Sequence, residues 1–202
     1  MQNILITWTT SWIWKYLEEN LRENNNIFSF SRWNWYDLTE IETFENIKSS
    51  FKKIPLLDKE GLGVVILNAW IWEFGSFEEN SLEKYENIIN LNLLANIRLL
   101  KVLEKFINKN TKIIFMGSII SKKFMKDASV YQASKFGLRG LAGGLKKEWK
   151  KVFLINPKIV DTEFHKNKII LNTKFEKTSL ESILETIKNI ISWNEKRFEI
   201  DL

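Results

Sequence analysis

Three side chains of this sequence have types and spacing that suit one shared piece of chemistry: Ser118, Tyr131 and Lys135. In Tyr131-Gln132-Ala133-Ser134-Lys135 the phenol and the ammonium are four residues apart. On a helix that begins after Ser129, this spacing puts both groups on one face, within reach of a common bound molecule. An isolated tyrosine loses its proton near pH ~10, and a close cation favours the phenolate, so the pair can serve as general acid and base nearer neutrality. Ser118 precedes the tyrosine by thirteen residues, and its hydroxyl can donate a hydrogen bond to a substrate carbonyl. Tyr-x-x-x-Lys also arises on ordinary surface helices, so the surrounding elements have to decide.

The run Lys112-Ile113-Ile114-Phe115-Met116-Gly117 reads as a buried strand. Ser118 then lies just past its carboxyl end, where open α/β sheets hold their ligands. Ile4-Leu5-Ile6, Asn26-Ile27-Phe28-Ser29-Phe30, Val64-Val65-Ile66-Leu67, residues 152–156 and Arg197-Phe198-Glu199-Ile200-Asp201 read as further strands. Helical spacing runs through Lys15–Leu21, through 39–53 with Ile41, Phe44, Ile47 and Phe51 on one stripe, through 81–108, and near 179–192. The helix at 81–108 is apolar on more than one side, so one face can cover the sheet while the rest needs another partner.

The 202 residues fit one domain with a sizeable core, and 45% hydrophobic with 27% charged residues describes a globular chain. The absence of cysteine excludes disulfides and thiolate metal sites and points to a reducing compartment; no metal is implied. The start Met1-Gln2-Asn3-Ile4-Leu5-Ile6-Thr7 has no basic n-region, and no apolar run approaches the ~20 residues of a membrane span. A cytoplasmic protein is expected. The net charge of +5 is spread over scattered lysines, which suits a solvated surface better than a nucleic-acid patch.

The composition is unusual in one respect: nine tryptophans stand beside only eight glycines. Thr7-Trp8-Thr9-Thr10-Ser11-Trp12-Ile13-Trp14 joins the first strand to the first helix. A dinucleotide fold puts its phosphate loop there, and that loop needs glycine because only a residue without Cβ lets backbone approach a pyrophosphate. Indoles also occupy turn or cap positions at Trp33, Trp35, Trp70, Trp72, Trp149 and Trp193, where glycine is the usual residue.

With each tryptophan read as glycine, the chain resembles the short-chain dehydrogenase/reductase family over nearly its whole length. Thr7-Trp8 through Trp14 then matches the Thr-Gly-x-x-x-Gly-x-Gly cofactor loop, and Asn68-Ala69-Trp70 matches the family's Asn-Ala-Gly. Asn92 falls where the family has its catalytic asparagine, and Ser118, Tyr131 and Lys135 complete that tetrad. Asn156-Pro157-Lys158-Ile159-Val160-Asp161-Thr162 resembles the Pro-Gly-x-Val-x-Thr segment, with Lys158 in place of glycine. The resemblance implies an α/β fold, a single Rossmann-type doubly wound parallel sheet with helices on both faces. It implies an NAD(P)-dependent oxidoreductase that moves hydride between the cofactor and a small carbonyl or alcohol, with Asn92 supporting Lys135 through a water.

It also implies cofactor contacts from Thr7, Trp8, Ser11, Trp12, Ile13, Trp14, Ser31, Arg32, Asp37, Leu38, Asn68, Ala69, Trp70, Tyr131, Lys135, Pro157, Ile159, Val160 and Thr162. Arg32 stands near the place of the acidic residue that would hold the 2′-hydroxyl of NAD, so NADP is the expected cofactor, gripped at its 2′-phosphate. The second crossover is short, with only a few residues between Arg32 and Tyr36-Asp37-Leu38. Residues 157–178 correspond to the family's substrate lid, and members pair the long helix with the Tyr-bearing helix across a homodimer or homotetramer interface.

One hypothesis would explain all nine tryptophans: a gene from an organism that reads UGA as glycine, translated with a table that reads it as tryptophan; the other reading is genuine core or surface aromatics. Nine more glycines would bring the chain close to the ordinary ~7%. Two alternatives stand beside the enzyme: a non-catalytic dinucleotide sensor of the same fold, and, if the indoles are genuine, a Trp-rich basic binder of single-stranded nucleic acid.

Overall fold

The computed structural model describes residues 1–7, 12–31, 36–148, 151–160 and 176–202, with backbone only at 12–14, 56 and 58. Six parallel strands form the central sheet: β1 (Gln2–Thr7), β2 (Asn25–Phe30), β3 (Val64–Leu67), β4 (Lys112–Met116), β5 (Val152–Asn156) and β8 (Glu199–Asp201), in the spatial order β2-β1-β3-β4-β5-β8. Every residue of β3, β4 and β5 is buried, as a parallel sheet covered on both sides requires.

Alternate residues of these strands feed two separate cores. Leu5, Val65, Ile113 and Val152 are in register across the sheet and pack against α2 (Ile41–Phe51), α5 (Ala95–Leu103) and α6 (Ser129–Glu148) through Ile47, Leu99, Leu103 and Leu138. Ile4, Ile66, Ile114 and Phe153 face the other way, onto Leu17 and Leu21 of α1 (Trp12–Arg22) and Ile183, Ile187 and Ile190 of α7 (Leu180–Ile191). The expected doubly wound α/β sheet with helices on both faces is thus formed by period-two strands between amphipathic helices.

The chain leaves β1 toward β2 on one side and returns with β3 on the other, so strand order reverses at β1. At this switch point the Thr7 Oγ1 accepts hydrogen bonds from the backbone N–H groups of Asn68 (2.9 Å) and Ala69 (3.2 Å). The carboxyl ends of β1 and β3 are therefore tied where open sheets place ligands. β2 is an edge strand, and among the described residues no further strand separates it from α2, in keeping with the short second crossover. A short helix, α3 (Pro55–Glu60), was not legible as periodicity; Pro55 sits at its first turn, where a missing N–H does no harm.

The long helical stretch is not uniform. α4 (Leu82–Ile89), capped by the Ser81 hydroxyl, passes through a π-helical turn at Asn90–Leu94 before α5 resumes and ends in a short 3₁₀ turn at Glu104–Phe106. A single widened turn of this kind re-aims the side chains within it. A two-stranded parallel ribbon, β6 (Ile159–Val160) with β7 (Lys177–Thr178), lies outside the main sheet. After α7, Trp193 adopts φ +66°, a left-handed conformation that favours glycine. Among the described residues only Asp127 shares this feature without being glycine.

Candidate active site

Ser118 follows β4 with extended backbone, and its Oγ accepts a hydrogen bond from the Ile120 N–H at 3.3 Å. Gly117 before it has no room for a side chain, because a Cβ there would lie 2.3 Å from the Asn156 amide oxygen. Tyr131 is in the first turn of α6 and Lys135 one turn later, so the two side chains share a face as the spacing predicts. Ser118 and Tyr131 line the same cavity, and the neighbouring Ser118 hydroxyl favours the phenolate. The Lys135 Nζ donates to the Met116 carbonyl at 3.2 Å and is 5.9 Å from the Tyr131 ring centroid.

Burial dominates the electrostatics of both groups. Tyr131 is 8% exposed, and desolvation pushes its phenol well above the ordinary range, only partly offset by the neighbouring Ser118 hydroxyl. Lys135 is 1% exposed, and burial brings its ammonium down to about 7. The sequence argument expected the cation to draw the phenol toward neutrality. In the chain alone desolvation outweighs that pull, because the ammonium is itself driven toward its neutral form.

Asn92 sits in the π-helical turn, 1% exposed. Its Oδ1 accepts from the Ile71 N–H (2.8 Å), and its Nδ2 donates to the Ile71 carbonyl (2.9 Å) and to Ser134 Oγ (2.9 Å). Ser134 Oγ in turn donates to the Tyr131 carbonyl at 2.7 Å. Asn92 therefore clamps the loop after β3 to the helix that carries Tyr131, and these contacts, rather than one to Lys135, occupy its amide. Its own carbonyl accepts from Asn96 Nδ2 at 2.8 Å. Sequence reasoning passed over Ser134 and Asn96. Their signal was a small polar residue at a helical position otherwise given to apolar ones.

A second set of contacts ties α6 to the segments that follow β4 and β5. Glu199 of β8 accepts from Arg139 of α6 through Nε (2.8 Å) and Nη2 (3.1 Å), and from Asn156 Nδ2 (2.8 Å). Lys122, in the 3₁₀ turn after Ser118, lies 3.1 Å from the same carboxylate and 2.7 Å from Asp201. These partners, Arg139 foremost, hold Glu199 down to about 2.

In front of these groups lies a cavity of about 640 Å³, lined among others by Asn68, Trp70, Met116, Ser118, Tyr131, Pro157, Ile159 and Val160. Asn68 is 1% exposed and both polar atoms of its amide are without a protein partner. A buried amide left this way is costly unless a ligand completes it. The Trp70 indole stands 5.2 Å from the Lys135 ammonium and 6.5 Å from the Tyr131 ring.

Other expected positions fall elsewhere. Thr7 and Ala69 are buried at the strand ends, and Ser31 is buried after β2. Asp37 accepts from Thr39 N–H and Oγ1 (2.9 and 2.7 Å), and Leu38 is part of the core beside α2. Trp12, Ile13 and Trp14 form the first turn of α1. Trp8, Ser11, Arg32 and Thr162 lie outside the described residues.

A family model for the short chain dehydrogenases matches residues 17–170. The chain belongs to that family. A curated relative, an uncharacterized oxidoreductase from Methylorubrum extorquens, is 27% identical over 106 residues, which is 50% of this chain and 43% of the relative. The chain thus matches less than half of that relative's length.

Among solved structures, a short chain dehydrogenase family protein from Francisella tularensis superposes with TM-score 0.81 at 20% identity, covering 100% of this chain and 97% of the other. An alcohol dehydrogenase from Thermococcus sibiricus, complexed with 5-hydroxy-NADP, gives 0.77 at 20% identity (100% and 96%). A short-chain dehydrogenase from Sphingobium yanoikuyae in complex with NADPH gives 0.76 at 18% identity (100% and 87%). At these identities the likeness establishes the fold. Among the described residues no helix is long and apolar enough to cross a membrane.

The residues present fit a nicotinamide nucleotide at this end of the sheet, where Asn68 with its orphaned amide, Ser118 and Tyr131 line one cavity and Lys135 is buried beside them. The Trp70 ring above Lys135 is the exception.

Proposed function

We propose that the protein is an NADP(H)-dependent oxidoreductase that interconverts a carbonyl compound and its alcohol. The observation that carries this reading is that Ser118 and Tyr131 share the wall of one cavity with Asn68, whose buried amide is unpartnered, while Lys135 is buried one helical turn from Tyr131. A nicotinamide, when bound, supplies or accepts the hydride. Ser118 donates to the carbonyl oxygen and fixes it beside the phenol. Tyr131 gives its proton to the oxygen as negative charge develops there, and takes one back in the reverse direction. Lys135 binds the cofactor's ribose side and, once charged, lowers the free energy of the phenolate. Asn92 and Ser134 keep the loop after β3 and the Tyr-bearing helix in one frame.

NADP is preferred over NAD on the strength of Arg32, whose guanidinium suits a 2′-phosphate. The reading extends to a cytoplasmic homodimer or homotetramer whose contacts use the long helix and α6; Gly140 and Gly144 on α6 are exposed with nothing against them.

The same proposal includes glycine at the nine tryptophan positions of the natural protein. Trp193 supports it, since its left-handed backbone is the conformation a helix C-terminus reserves for glycine. So does Trp70, whose ring stands in the cavity over the lysine. Reading the nine codons tests it, and UGG at any of the loop positions would end it. For the chemistry, Tyr131→Phe should lower kcat by about 10²–10⁴-fold while NADPH still binds, measured by steady-state rates and nucleotide fluorescence. Turnover retained in that variant would remove Tyr131 as the acid.

A further inference from the structure

The apolar residues around Tyr131 form a third cluster that neither face of the sheet requires. Ile120, Ala128, Trp72 and Tyr131 pack together, with Phe74 and Trp70 against them, apart from the two cores described above. The cluster opens into the cavity of about 640 Å³ beside Ser118. The Phe74 ring centroid is 6.1 Å from that of Tyr131, and Phe124 is stacked on Phe136 at 5.8 Å with 3° between their planes.

Phe124 is 94% exposed and Met125 46% exposed, yet both line this cavity. Large apolar groups held open to solvent beside a reactive pair mark a surface made to be covered. The polar side chains of the lining are few. They are Asn68 and Ser118 at the strand ends, Tyr131 on α6, Lys158 paired with Glu176, and Lys123, exposed just after the 3₁₀ turn.

From this arrangement we infer that the substrate is a bulky apolar ketone or aldehyde, aryl or branched alkyl, and not a polyhydroxylated carbonyl such as an aldose. This rests on the carbonyl chemistry proposed above. The oxygen of the reacting carbonyl is the only polar atom such a substrate must bring in, and Ser118 and Tyr131 receive it. Its carbon body lies against Phe74, Ile119, Ile120, Phe124, Met125 and Ile183. A sugar would carry several hydroxyls onto the same wall, each giving up water for an apolar neighbour. Glycine at positions 70 and 72 would widen the cavity and remove the Trp72 ring that packs on Phe74, while the apolar types at the six positions stay the same.

The test is a panel of acetone, 2-octanone, acetophenone, glyceraldehyde and glucose. It is run with NADPH and with NADH on the full chain, as written and with glycine at the nine tryptophan positions. The expected result is a kcat/KM for 2-octanone or acetophenone at least about tenfold above that for the polyhydroxylated compounds. Phe124→Ser, at an exposed position, should narrow the ratio of 2-octanone to acetone by about tenfold. A preference for glyceraldehyde or glucose, or an unchanged ratio in Phe124→Ser, would overturn the apolar assignment and leave the reductase reading standing. Cofactor binding with no turnover of any carbonyl would instead overturn the reductase reading, and this inference with it.

Discussion

The two ends of the cofactor crevice are written in opposite ways. At the carboxyl end of β4 the chemistry depends on side chains, and Ser118, Tyr131, Lys135 and Asn92 are each present and brought into one frame. At the carboxyl end of β1 the chemistry depends on the lack of side chains, and there the letters give Trp8, Trp12 and Trp14. A functional group can be recognised by what it is, but a phosphate cradle is recognised by bare backbone. A chain that kept the first and lost the second would have a reactive pair with no cofactor to serve. Glycine at the tryptophan positions, as proposed, would reconcile the two ends.

The largest effect expected from this contrast is on nucleotide affinity. The chain with glycine at all nine positions should bind NADPH at least about 100-fold more tightly than the chain as written, since indoles would fill a site built for close backbone approach. Equal affinities in isothermal titration would break the comparison. At the side-chain end, Lys135 is the group to probe by pH. Its folded-state value of about 7 lies below its unfolded value, so the unfolded chain binds more protons between about pH 7 and 10, and stability should rise with pH across that window. The slope from one such group is at most about 1.4 kcal/mol per pH unit. Lys112, which burial brings down to about 8, adds to it with the same sign. Lys135→Met should remove most of this dependence in urea titrations at pH 6, 8 and 10, and a slope equal to the parent's would mean that the ammonium is not buried as described.

Asn92→Ala sharpens the same end from the side of stability. It leaves the N–H and carbonyl of Ile71 and the Ser134 hydroxyl without their partner, for a loss of about 2 kcal/mol. An unchanged urea midpoint would show that the clamp is not made. The smallest effect is at Trp193. Trp193→Gly and Trp193→Ala both remove the ring from Lys112 and Lys151, whose ammonium groups lie 3.6 and 4.1 Å from its centroid, but only glycine relieves the left-handed backbone. The glycine variant should be the more stable by about 1 kcal/mol. Alanine equal to glycine would argue against a glycine cap.

Where the sequence failed, it failed for reasons of context. The helix predicted over 81–108 gave no hint of the π-helical turn at Asn90–Leu94, because hydrophobic period is nearly the same through a one-residue bulge. The local contacts of Asp37 with Thr39 and of Leu38 with the core were likewise set by the packed chain and not by the sequence pattern. The Glu199 junction joins residues 122, 139, 156 and 199, which no local pattern connects.

Local chemistry is fixed by residue type and spacing, and so the sequence alone determined the strands, the shared face of Tyr131 and Lys135, and the place of Ser118 after a buried strand. Burial and long-range contact are properties of the packed chain. Only the tertiary structure decided that the lysine's proton is held near neutrality, that Asn92 serves as a clamp, and that an apolar wall faces the reactive pair, because desolvation depends on what every other segment has brought alongside.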